Sequence, residues 1–162
     1  MDKGSELIDE SRPLRRALLA VLTLGVAGSL TELLLLGHTE DRFQWIPVIG
    51  LGVGLVSVGS VSIIPGRTTL RMLCAVMLGF ILAGFLGINR HYTGNVEFEL
   101  EMYPSRQGFE LFREAMAGAT PALAPGTMVL LGLVGLTFCL RHPILRNLRS
   151  PAPRTNSKRN RS

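Results

Sequence analysis

Side chains able to do chemistry are few in this chain. Glu32 is the one ionisable residue well inside an apolar run. His38, Glu40 and Asp41 follow within ten residues, and His91 precedes three alternating carboxylates, Glu97, Glu99 and Glu101. Imidazole with carboxylate is a ligand set for a transition metal, most simply zinc. The spacing His38-x-Glu40-Asp41 matches no specific ligand motif and no H-E-x-x-H occurs. His38, Glu40, Asp41 and His91 are therefore metal candidates by residue type alone. The structural alternative has these charges capping helix ends and pairing with Arg42, Arg90, Arg106 and Arg113. Glu32 is the intramembrane functional candidate, because an ionisable group at depth needs a partner, a proton or water. It either handles protons or cations, or makes a structural hydrogen bond to Gln44, Tyr92 or nearby backbone.

The elements that must position these groups are four long apolar runs, Ala17 to Leu36, Trp45 to Ile64, Met72 to Ile88 and Pro121 to Leu140. Each matches the roughly 20 residues a helix needs to cross about 30 Å of hydrocarbon. The seventeen basic residues segregate around them. Four precede the first run, two follow the second and seven follow the fourth, against one and three in the other two gaps. Positive charge stays on the cytoplasmic side, so both ends are expected there. The first run is too long for a signal-peptide core and reads as a retained anchor. The expected fold is an all-α membrane protein, a four-transmembrane-helix bundle forming one domain over 1–150. Its spans are about 14–37, 45–64, 70–88 and 120–141, with an extracytoplasmic loop over 89–119 and a disordered basic tail over 151–162.

Glu32 lies five residues before Gly37, roughly 7 to 8 Å below the outer end of its span. Gly25 and Gly28 share its helix face and allow a close neighbour, so Glu32 is expected to point into the bundle. Trp45 sits where an interfacial aromatic anchor belongs. In the third span Ala75, Gly79, Ala83 and Gly87 recur every fourth residue, a ridge that specifies tight helix packing with this chain or another copy. Beyond it Thr93-Gly94-Asn95 reads as a turn. Val96 to Met102 then alternates apolar with acidic residues, the period of a short strand whose carboxylate face is Glu97, Glu99 and Glu101. An extended segment across the helix tops fits equally well. Gly108 to Gly118 reads as an amphipathic helix at the membrane interface. The fourth span is expected to start with Thr120 as N-cap and Pro121 at the first helical position, loosened by Pro125-Gly126.

Several functions are disfavoured by what surrounds these groups. Cys74 and Cys139 form no C-x-x-C pair and the outer segments hold no Cys, against a thiol oxidoreductase. No nucleophile–base pair or phosphate-binding glycine loop appears, and no cofactor is expected. The basic residues flank spans and suit anionic lipid at the cytoplasmic face, so nucleic acid is not an expected partner. The stretch Glu32 to Gln44, HYTGNVEFELEMYPS and GATPALAPGTM together resemble a family of small, uncharacterised bacterial four-span membrane proteins with no assigned activity. That resemblance implies a bacterial inner membrane and transfers no site residue. The expected function is a non-enzymatic assembly or accessory protein, with an acidic extracytoplasmic face and a partner that is another copy or another membrane protein. The alternative is an oligomeric small transporter or ion-handling unit using Glu32 and the outer carboxylates.

Overall fold

A computed structural model describes residues 3–118, 120–140 and 142–146, with side chains described outside 3–11, 143 and 146. The tail expected over 151–162 lies outside the described residues. Six helices follow in order: α1 (Lys3–Leu35), α2 (Trp45–Ile63), α3 (Arg67–Met102), α4 (Gly108–Ala117), α5 (Gly126–Leu140) and α6 (Pro143–Arg146). Three are long and apolar enough to cross a membrane: α1 from Arg12 to Leu35, α2, and α3. Their outward faces are apolar too. Leu24, Val56 and Leu82 are each more than 70% exposed, a surface that water would not tolerate at this density.

The turns between helices are built by their own side chains. Gly37, at φ +65°, closes α1, and the His38 N–H donates to Leu33 O (2.9 Å), satisfying a carbonyl the helix end would orphan. At the other end of α2, the Gly66 N–H donates to Thr69 Oγ1 (3.0 Å), and that hydroxyl donates to Ile64 O (2.9 Å). This caps α3 across a turn too short to hold anything else.

Among the long helices, α1 packs on α2 and α5, and α3 packs on α2 and most extensively on α5. Leu22, Leu51, Leu73, Met77, Phe80 and Leu131 lie in the shared core. Glycine decides where backbones touch. A Cβ at Gly84 would stand 2.6 Å from Val129 Cγ2 and 2.9 Å from Val129 N, and one at Gly132 would stand 2.6 Å from Met77 O. The α3–α5 contact is therefore close to backbone against backbone. Of the ridge read from the sequence, Gly87 takes part, since its Cβ would meet Pro125 Cβ at 2.7 Å. Ala75 and Gly79 are exposed instead, and Gly79 and Ala83 line an apolar groove of about 250 Å³ beside α2.

Three expectations are corrected. No strand forms among the described residues, and 89–102 is the continuation of α3 rather than a loop. Thr93 Oγ1 donates to Asn89 O (2.9 Å) in the helical i−4 manner, straight through the expected turn. A lone strand would leave its backbone groups unpaired, whereas the helix satisfies them, and Glu, Leu and Met are good helix formers. The helix stops where Tyr103 precedes Pro104, since a residue before proline avoids the α region. Helix α5 begins at Gly126, not Pro121. A helix from Pro121 would need an N–H at Pro125, which proline lacks, so 121–125 forms turns in which Ala124 N donates to Pro121 O (3.0 Å) and Gly126 N to Leu123 O (2.8 Å).

Candidate functional site

Helix α3 has 36 residues, about 54 Å at 1.5 Å per residue, far more than about 30 Å of hydrocarbon requires. Its apolar run ends at Ile88, and the fourteen residues to Met102 carry on for about 21 Å. Helix α4 folds back on this extension. The two form a hairpin that is the largest part of the chain beyond the apolar runs.

One residue locks the hairpin to the rest of the molecule. Asn95 is 5% exposed, and its Nδ2 donates to Ala115 O (2.8 Å) and Thr120 O (2.7 Å), while its Oδ1 accepts from Thr120 Oγ1 (2.9 Å). Both amide hydrogens and one acceptor site are used, so the buried amide carries little desolvation penalty. Gly118 makes room for it, because a Cβ there would stand 2.7 Å from Asn95 Cγ. Thr120 therefore serves the clamp rather than capping α5. Below it, His91 Nδ1 lies 3.3 Å from Pro121 O and holds the same turn.

A second lock sits at the tip. Arg106 pairs with Glu99 and, through Nε at 3.2 Å, with Glu110, and its guanidinium stacks 4.2 Å from the Tyr103 ring centroid. Burial works against its charge, but Glu99 and then Glu110 outweigh that and raise its pKa above the ordinary arginine value. Arg113 pairs with Glu114, and Arg90 lies 3.9 Å over the Phe43 ring, joining the first outer turn to α3.

The acidic face is correspondingly smaller than expected. On a helix Glu99 is turned 200° from Glu97, so it meets α4 and Arg106. Glu97 and Glu101, four residues apart, face away together and are exposed. Around them the hairpin carries bare apolar surface. Phe98, Met102 and Tyr103 are each more than half exposed, and Phe109 is 79% exposed. Tyr92, Phe112 and Phe109 make a tilted ladder with centroids 6.0 and 6.2 Å apart.

The metal candidates do not converge. Among the described residues no group of three or more His, Cys, Asp or Glu could hold an ion. Asp41 Oδ1 accepts from the Phe43 N–H (2.7 Å), Gln44 Oε1 accepts from the Glu40 N–H (2.8 Å), and Trp45 Nε1 donates to Thr39 O (3.1 Å). Those residues build the turn. Glu32 is also not where the glycine pattern put it. It is exposed, with no side-chain hydrogen bond or ion pair among the described residues, although Gly25, two turns earlier and about 20° away around the helix, is filled by Leu131. The groove beside α2 contains no titratable group, and both cysteines are free, Cys139 buried with Leu70 O 3.8 Å from its Sγ.

No family model, curated protein or solved structure matches this chain. What it does must be read from its own geometry. Of the two residues that organise the outer hairpin, the sequence reading placed Asn95 in a turn and missed its role, while it had Arg106 among the partners of the outer carboxylates, where Glu99 and Glu110 take it. The signal for Asn95 was the pre-proline stop at Tyr103, because a helix with no breaker before it runs through 95 and buries it under α4.

Proposed function

We propose that the protein is a non-enzymatic assembly or accessory protein of a bacterial inner membrane, crossing it four times with both ends cytoplasmic, and that its α3–α4 hairpin is the part that docks. The charge segregation supports the orientation, and α5 supports the fourth span. Alone α5 is about 22 Å long. The Pro121–Pro125 turn adds height, with its Pro121 carbonyl satisfied from Ala124 and held by His91. Non-helical backbone at such depth is tolerated where protein satisfies it.

The observation that carries the docking role is the contrast within the hairpin. Its base and tip are fixed by Asn95 and Arg106, yet its surface leaves Phe98, Met102, Tyr103 and Phe109 bare and Glu97 and Glu101 exposed. A loop with no role would not need two polar locks, and a rigid apolar surface with an acidic stripe suits a protein partner. The transport alternative gains less support. Glu32 is outside the helix packing, and the groove beside α2 brings no titratable side chain to it.

A photo-crosslinking residue at Phe109 in native membranes tests the docking role. A discrete protein adduct that disappears with Asn95→Asp is the expected result. Adducts with lipid alone, or none, would remove the hairpin as the docking part.

A further inference from the structure

We propose that the exposed flank of α1 around Gly28 and Glu32 is an intramembrane seam for a membrane-spanning helix of another protein, one bearing a Lys or Arg at the depth of Glu32. The proposal rests on the reading of α1 as a membrane span and names the partner chemistry for the accessory role.

Glu32 is separated from the outer turn by Leu33, Leu34, Leu35 and Leu36. Five residues place it roughly 7.5 Å below Gly37, and a glutamate side chain is too short to bring its carboxylate to the headgroups. An exposed carboxylate there faces hydrocarbon, where it needs a partner, a proton or water, and a cation on a neighbouring helix is the partner that lets it stay ionised. Among the described residues nothing pairs it. The adjacent Thr31 hydroxyl is committed to Ala27 O (2.9 Å), and no side-chain hydrogen bond or ion pair reaches Glu32 among the described residues.

Gly28, one turn earlier, is on the same exposed face. A Cβ there would meet no atom within 4 Å, although three residues before it Gly25 is packed by Leu131. The chain therefore offers a notch for a neighbouring backbone directly beside an unpaired carboxylate. Notch and charge together define what fits: a helix that packs closely at Gly28 and brings a cation to Glu32.

A second copy of the chain fits less well. All seventeen basic residues lie outside the four apolar runs, so a like helix brings no cation to this depth. Across a symmetric α1–α1 contact, Glu32 would face Glu32. Charge complementarity selects a different helix.

The test reconstitutes the full chain in phosphatidylcholine vesicles with a synthetic Leu/Ala membrane helix carrying one Arg five residues inside one end. The control helix has Leu in place of that Arg, and association is read by energy transfer. The Arg helix is expected to associate about tenfold more tightly than the control. Glu32→Gln and Gly28→Leu should each abolish that preference, and Glu32→Arg should transfer it to a helix bearing Glu. Equal association of both helices, or a preference that survives Glu32→Gln, overturns the seam. So does self-association of the wild type that excludes both helices. Depth is measured separately, from Glu32→Trp in a Trp45→Phe background. Quenching by brominated acyl chains with no Arg preference removes the seam and leaves the membrane reading standing. Quenching by acrylamide instead removes both.

Discussion

Asn95 and Thr120 hold each other from both sides: the Asn95 amide donates to the Thr120 carbonyl at 2.7 Å, and the Thr120 hydroxyl donates back to Asn95 Oδ1 at 2.9 Å. This reciprocal pair joins the far part of α3 to the start of the last apolar segment. It makes the hairpin and the transmembrane region one mechanical unit.

Breaking that pair is expected to loosen the hairpin without unfolding the spans. Asn95→Ala removes the donor from the buried Ala115 carbonyl, at about 1–3 kcal/mol for a buried group left unpaired, and the tie to the more exposed Thr120 carbonyl with it. Asn95→Asp keeps the shape but sets a carboxylate against two carbonyls, so it should cost at least as much. Hydrogen exchange reads both. Protection should fall in 95–117, with α2 and the α3–α5 contact unchanged.

The glycines of α3 should separate sharply. Gly84→Ala drives a methyl into Val129 N and Pro125 O, 2.9 and 3.0 Å away, where backbone cannot yield. A loss of about 1–3 kcal/mol is expected from such overpacking. Gly79→Ala meets nothing within 4 Å and should be neutral within about 0.5 kcal/mol, or gain slightly from helix propensity. Thermal melting in detergent compares the two. Equal effects would mean that α3 and α5 do not meet at Gly84.

Of the four spans expected, the apolar runs made legible three helices long and apolar enough to cross a membrane, because length and hydropathy act over whole segments. What the sequence concealed was local. Residues 96–102 have a period of two, yet their helix is set by continuity with α3 and by Pro104, neither of which the alternation reports. Glu32 lies about 20° from Gly25 and about 40° from Gly28 around the helix, so the three do share a face, but that face is covered at one level and open at another. Gly25 is packed and Gly28 is open. Packing partners decide which small residue is buried, and spacing within one helix cannot name them.

At the hairpin tip, Arg106 acts by shape as well as charge. It bridges Glu99 and Glu110 while stacking on Tyr103, and a lysine ammonium can hold only part of that arrangement. Arg106→Lys should therefore speed proteolytic cleavage across 103–107, though less than Arg106→Ala does. Full protection in the lysine variant would reduce the contact to a simple ion pair.

At the opposite end of the molecule, His142 supplies the pH dependence. Burial, and then the positive charge of Arg15, hold its pKa below the ordinary histidine value near 6.5. Its ring stacks on Phe138 with centroids 5.6 Å apart, and its Nδ1 faces the Ile144 N–H at 3.4 Å, an arrangement that suits the neutral form. A histidine with a depressed folded-state pKa favours folding when neutral. That contribution is fully present above pH 6.5 and is lost as pH falls through the lower folded value. NMR titration of the His142 ring should give a midpoint below 6.5, and Arg15→Gln should move it upward by removing the repelling charge. His142→Gln should flatten the stability profile on the acid side of pH 6.5. A midpoint at or above 6.5 in the wild type would mean that Arg15 and the burial of this ring do not act on it.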